Sequence, residues 1–416
     1  MMTNPRWSHF YTHLLFGLAS AATLFAQPQD IRFEALSVEQ GLSNFSVSDI
    51  IQDRRGFLWF ATEEGLNRYD GYDFVVYKSK LGDSTALPNS FVSQLYLDRA
   101  GNLWVNTSSA LCRYDLDTER FEQVAHYFPG AQALLHKSFY CVFEDRHGEF
   151  WLGGSDGLYR YDPHKRMLRE YHHDPQSANS LSADRIATVF EDRAGTLWIG
   201  TGEGGVNRYD RHNDAFQHFR HDPADSNSLS TDFVWCITED QQGTIWIGTE
   251  NGLNCFDPRT QRLSRFRLGA TGKDPLAGER VFKLFVDSHG TLWAGTRYAG
   301  LWRYEPATER AYQYRYASDN PYSLRGDRIH AIYEDRSGVL WFGHYRAGLS
   351  RYARRHDKFA RLKIADGVYA ICQDRRGNLW VGAGSSGLRQ FDHEGKLLAQ
   401  YRHDPENPYS LGNDNV

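Results

Sequence analysis

Three observations predict an all-β protein for this chain of 416 residues: aromatic residues make up 14%, glycines number 37 and methionines only 3. That balance favours strands joined by tight turns over packed helices. The formal net charge of −5 provides no chain-wide basic field for phosphates, which argues against nucleic acid as the main partner.

The first segment, MMTNPRWSHFYTHLLFGLASAATLFAQPQD, sets Arg6 before the apolar run Leu14 to Phe25 and ends in small residues around Ala26. This is the pattern of a secretory signal peptide over residues 1–26, too short to span a bilayer comfortably, and it predicts cleavage near Ala26 and export; an uncleaved N-terminal anchor is the alternative. No later apolar stretch reaches the ~18 residues of a membrane span. The five cysteines, Cys112, Cys141, Cys236, Cys255 and Cys372, are odd in number, lack CxxC spacing and mostly lie in apolar runs. They are expected to be small buried hydrophobes, forming neither a zinc site nor a disulfide framework.

The strongest signal is a repeat. Trp59, Trp104, Trp151, Trp198, Trp246, Trp293, Trp341 and Trp380 follow one another at spacings of 45, 47, 47, 48, 47, 48 and 39. Each has an Asp six residues before it and a Gly three before it, as in Asp192, Gly195 and Trp198. A period in the forties in a β-rich chain predicts a β-propeller, one blade of four strands per repeat. In the fourth repeat the innermost strand is expected over Ile186 to Glu191, a turn over Asp192 to Thr196, the second strand over Leu197 to Thr201, the third over Val206 to Tyr209 and the outer one over Ala215 to Arg220. In DxxGxxW the Asp suits turn amides, the Gly a positive φ and the Trp the wedge between blades. Eight copies of a catalytic acid would have no purpose, so the motif is structural.

A second phrase recurs as HHDPQSANSLS (172–182), RHDPADSNSLS (220–230), ASDNPYSLRGD (317–327) and RHDPENPYSLG (402–412). It joins blades, and its histidines belong to separate blades, so it is read as a linker; no metal or other cofactor is expected. The segment IRFEALS (31–37) resembles an outer strand without a blade, as does KFARLKI (358–364) just before the short 39-residue step. The fold expected is therefore all-β: a seven-bladed propeller of four-stranded blades over 27–356, closed by IRFEALS, followed by the start of a second, truncated propeller over 357–416. A single eight-bladed ring is the alternative. The final YSLGNDNV matches the approach to another inner strand, so the last fifty or so residues are expected to be the less stable part of a longer protein.

The stretch GLSNFSVSDIIQDRRGFLWFATEEGLNRYDGYDF (41–74), with the HDP linkers and the DxxGxLW copies, resembles the two-component regulator propeller repeats, over roughly residues 31–416. The resemblance implies the exported sensor half of a bacterial hybrid histidine kinase, in many members responding to oligosaccharides. In that family two seven-bladed propellers precede a small β domain, a membrane helix and a kinase, so periplasmic location, membrane attachment through a further C-terminal segment, and homodimerisation are implied. Two departures occur, NTSSAL in the second repeat and FPGAQALLHKS (128–138) in the third, where ligand specificity could reside or a loop has simply drifted.

The second hairpins of the repeat vary while its framework does not: TEEG, GSDG, GEGG, TENG, TRYAG and HYRAG. They and the residues leading into the inner strands, Arg185, Trp235, Arg280, Arg328 and His330, are expected on the face opposite the DxxG turns. Arg297, Tyr298, Tyr345, Arg346, Trp235 and Arg328 are the candidate ligand-binding residues, because aromatic faces and guanidinium groups suit a carbohydrate or an acidic sugar. The function expected is non-catalytic sensing of a small polar ligand. A protein-binding scaffold and a propeller hydrolase or lyase are the alternatives; no GxSxG or HExxH occurs, and the sialidase-type Asp box is spaced differently.

Overall fold

The computed structural model describes residues 31–134, 137–268, 275–354, 367–392 and 396–416. The leader expected over 1–26, the KFARLKI segment and the expected boundary between 356 and 357 lie outside the described residues. The chain divides into two compact units between Tyr352 and Ala353.

Among the described residues, seven four-stranded antiparallel sheets build the first unit, each ordered from an innermost to an outermost strand. The innermost strands are Val47–Gln52, Val92–Leu97, Phe139–Glu144, Ile186–Glu191, Val234–Glu239, Val281–Val286 and Ile329–Glu334, and they define blades 1 to 7. Each packs against the next, and Ile329–Glu334 packs against Val47–Gln52, so the series closes on itself. The second strands, such as Leu58–Thr62 and Leu197–Thr201, are buried at every residue in blades 1 to 6, and in blade 7 at all but Val339, because each is covered on both faces. That is why LWIGT-type runs read as continuously apolar where half-exposed strands alternate. Among the described residues, the second unit holds one sheet, Val368–Gln373 to Leu397–Tyr401, whose innermost strand is exposed throughout.

Closure uses the first described strand. Glu34–Leu36 pairs with Leu349–Ala353 in the register Glu34 to Arg351 and Leu36 to Leu349, supplying blade 7 with its outer strand. Phe33 sits 5.6 Å from Tyr314 and 5.7 Å from Phe342, so the closing strand is anchored in the core between blades 6 and 7.

The repeat motif is a hydrogen-bonded unit. In all eight copies the indole Nε1 of Trp donates to Oδ2 of the Asp six residues earlier, at 2.6–3.0 Å. Oδ1 of the same Asp accepts the amide four residues on, at 2.7–3.0 Å. One carboxylate thus closes the turn and fixes the indole, which accounts for the constant spacing of six. The indoles meet the next blade's aromatics, Trp59 with Tyr114 at 4.9 Å and Trp198 with Phe256 at 5.1 Å. Gly195 has φ +90°, and a Cβ there would lie 2.5 Å from Arg146 Nη1. Gly195→Ala is expected to cost about 1–2 kcal/mol in urea unfolding; an unchanged midpoint would sink this assignment.

Neighbouring blades are also clasped at the DxxG end. The residue after the motif Asp donates its amide to a side chain closing the next inner strand: Arg99 to Glu144 (2.7 Å), Arg146 to Glu191 (2.9 Å), Arg193 to Glu239 (2.8 Å), Ser288 to Glu334 (2.6 Å) and Arg336 to Gln52 (2.9 Å). At the other two junctions the equivalent positions are Leu97 and Val286, which offer no side-chain acceptor.

The linker histidines serve the chain itself. A carbonyl oxygen needs a donor, so the Nδ1–H of His173, His221 and His403 donates to the carbonyls of Leu181, Leu229 and Leu411 at 2.7, 2.6 and 2.6 Å. In the third repeat, Phe128, Ala131 and Leu134 are buried between blades 2 and 3, with Phe128 stacked on Trp104 at 5.2 Å. The departure at FPGAQALLHKS is therefore core packing over its described part. Cys112, Cys141 and Cys236 are buried, Cys255 is half-buried, and Cys372 is exposed on the uncovered inner strand of the second unit, a correction to the expectation of burial for all five.

Candidate functional site

The repeat places one residue of each lead-in beside one residue of the second hairpin. The hairpin amide donates to the lead-in carbonyl from Ser108 to Phe91 (3.0 Å), Gly202 to Arg185 (2.8 Å), Glu250 to Phe233 (2.9 Å), Arg297 to Arg280 (3.0 Å) and Tyr345 to Arg328 (3.0 Å). Residues some 47 positions apart in sequence are thereby gathered at the end of the ring opposite the DxxG turns. They surround a cavity of about 500 Å³ at the centre of the first unit, to which all seven blades contribute, from Ser48 and Gln94 through Tyr140 and Arg185 to Trp235, Arg280 and Arg328. This volume suits a ligand of disaccharide size. A larger depression of about 710 Å³ lies on the outer edge of blade 4, but that blade and its linker alone line it, so no groups converge there.

An aromatic arc runs along one side of the cavity. Phe233 stacks on Trp235 (4.7 Å, 28°), Trp235 meets the edge of Phe282 (5.2 Å), Phe282 meets His330 (4.5 Å), and His330 stacks on Tyr345 (5.6 Å, 26°). Guanidinium groups lie over these rings: Arg185 at 5.2 Å from Phe233, Arg280 at 5.1 Å from Trp235 and Arg328 at 4.0 Å from Tyr345. Glu250 accepts from Trp235 Nε1 at 2.9 Å and pairs with Arg280, while Asp49 pairs with Lys283 at 3.4 Å. Arg328 Nε donates to His330 Nε2 at 3.0 Å, so the His330 proton sits on Nδ1. Burial, helped by the nearby Arg328 and Arg280 charges, pushes the His330 imidazole down to about 4, and the ring is neutral near neutral pH.

The six candidate residues divide. Trp235 and Arg328 line the cavity. Tyr345 backs Arg328 and His330, and Arg346, at φ +60°, holds its guanidinium 5.0 Å from the outer part of the same group, the Tyr345 ring. Arg297 and Tyr298 form their own cation–π pair at 4.8 Å and stand outside the lining, joined to it through the Arg297 amide on the Arg280 carbonyl. Phe233, Phe282, Glu250 and Tyr140 were not among the candidates. Of these, Phe233 and Phe282 occupy lead-in and first-strand positions equivalent to Arg185 and Arg328 or their neighbours, which is the signal that could have found them.

The two-component regulator propeller family matches residues 40–64, 86–109, 180–203, 228–251, 323–346 and 364–385. A stretch of 67 residues is 42% identical to Histidine kinase P4 of Formosa agariphila, covering 16% of this chain and 5% of that protein. The extracellular domain assigned to the hybrid two-component system BT3049 of B. thetaiotaomicron superposes with a TM-score of 0.70 at 26% identity, over 89% of this chain and 49% of that one. The extracellular domain of BT4673 from the same organism has the same fold, with a TM-score of 0.65 at 23% identity over 91% of this chain and 47% of that one. The chain thus spans about half the length of these solved structures.

Proposed function

We propose, for a chain built of two-component regulator propeller repeats and related to the extracellular sensor domains of hybrid two-component systems, that the first unit is a non-catalytic sensor of a small polar ligand held in the central mouth. An oligosaccharide is the ligand class that the site suits. The observation that carries this reading is the convergence of an aromatic arc and guanidinium groups from separate blades on one cavity. Aromatic faces receive the C–H surfaces of a sugar ring, and fixed donors read its oxygens. Four cations line the cavity with one carboxylate, Asp49, and both Asp49 and the neighbouring Glu250 are held in ion pairs, an arrangement that suits binding.

The leader pattern of residues 1–26 and the extracellular relatives support a periplasmic location, with binding relayed to a kinase beyond the sequence described. The test is calorimetric titration with an oligosaccharide panel, with the products analysed in parallel. Saturable binding without turnover is expected, and Trp235→Ala should weaken it at least about tenfold, or ~1.4 kcal/mol. Turnover of a bound sugar would replace the sensor reading with an enzymatic one. Binding untouched by Trp235→Ala would move the site elsewhere.

A further inference from the structure

We infer that the ligand of the mouth is an anion, a carboxylate or sulfate ester carried on a ring, and that Arg185 and Arg328 receive its charge. The inference rests on the sensor reading of the same cavity. The lining holds Arg185, Arg280, Lys283 and Arg328 against one carboxylate, Asp49, in a chain whose net charge is −5. Cationic side chains are thus concentrated at this place against the balance of the whole.

Two of the four are already matched, Arg280 by Glu250 and Lys283 by Asp49. The other two are not. Among the described residues no protein group hydrogen-bonds to the Arg185 guanidinium, and Arg328 uses only its Nε, on His330. The neutral His330 therefore holds Arg328 by one nitrogen and leaves its two terminal nitrogens for a ligand. A guanidinium fork with two free donors matches a carboxylate or sulfate in a bidentate manner, whereas a neutral hydroxyl uses one donor and leaves the charge unbalanced. Aromatic rings under both guanidiniums displace water from one face, which strengthens a charge-assisted bond on the other. The part of the arc that lines the cavity, Trp235, Phe282 and His330, supplies the surface against which the ring bearing the anion lies.

The test uses the whole chain and four probes: trigalacturonate, its neutral methyl ester, galactose 6-sulfate and neutral galactotriose. Calorimetry is expected to show trigalacturonate binding at least tenfold tighter than its methyl ester, with affinity falling as salt rises. Tighter binding by galactose 6-sulfate would assign the charge to a sulfate ester instead of a carboxylate. Arg328→Lys keeps the charge but loses the fork, and should weaken the preferred anion about tenfold and the methyl ester by a clearly smaller factor, whereas equal weakening of both would overturn the inference; circular dichroism checks its fold, and Arg185→Gln serves as the second variant. Equal binding of acid and ester overturns the inference and leaves the sensor reading intact if Trp235→Ala still weakens both. Binding by neither anionic probe overturns the inference as well, and the wider neutral panel then decides the sensor reading separately.

Discussion

Asp145→Ala is expected to lower the stability of the first unit by about 3–5 kcal/mol, the cost of breaking a buried charge pair from one side. Asp145 is fully buried and accepts from the Trp151 indole (2.9 Å), the Glu149 amide (3.0 Å) and the His147 amide (2.8 Å), and it pairs with Arg211. Its loss strands a buried indole N–H and leaves Arg211 with Glu149 alone. Burial works to raise the Asp145 carboxyl pKa, but the indole, the amide and Arg211 together outweigh it, and the group titrates below the ordinary carboxylate range. The sign follows: a carboxyl depressed in the folded state stabilises above its unfolded pKa of about 4, and that contribution is lost as pH falls through the folded value. Urea unfolding at pH 7 and pH 3 measures both effects. A loss under 1 kcal/mol at pH 7 would show that the motif carboxylate is dispensable. The same substitution at Asp374 should cost less, since that motif lies in the sheet with the exposed inner strand.

Trp198→Ala is the second large effect, expected at about 3–5 kcal/mol. The ring is 2% exposed and touches Phe219 and Phe256 at 5.8 and 5.1 Å, within a core drawn from blades 4 and 5. Its removal leaves a cavity in the wedge that neighbouring strands, fixed by their ladders, cannot collapse into. Trp198→Phe separates two terms, keeping most of the packing and losing the 2.9 Å bond to Asp192. It should cost about 1–2 kcal/mol. If the phenylalanine variant were as unstable as the alanine variant, the hydrogen bond and not the wedge would be the larger contribution.

What was legible in the sequence was whatever each blade must solve alone. Every blade needs the same turn, the same wedge and the same linker, so Asp192, Gly195 and Trp198 recur at fixed spacing and IRFEALS stands out as a strand without a blade. The role of the Asp was only half visible: its turn amides follow from local geometry, while its bond to the indole depends on strand pairing that brings residues six apart together. The mouth was harder to read, because ring closure brings Tyr140, Trp235 and Phe282 to one cavity and no local pattern encodes that. Variation among hairpins pointed to Arg297 and Tyr298, yet a hairpin residue can share the face without reaching the cavity, as these two do.

The measurement that tests the central mouth most directly is hydrogen exchange of the whole chain with and without the tightest-binding oligosaccharide of the panel. Protection is expected at the lead-ins and first residues of the inner strands in blades 4 to 7, residues 185–189, 233–237, 280–284 and 328–332. Protection confined to the DxxG turns or to the outer strands would contradict that expectation.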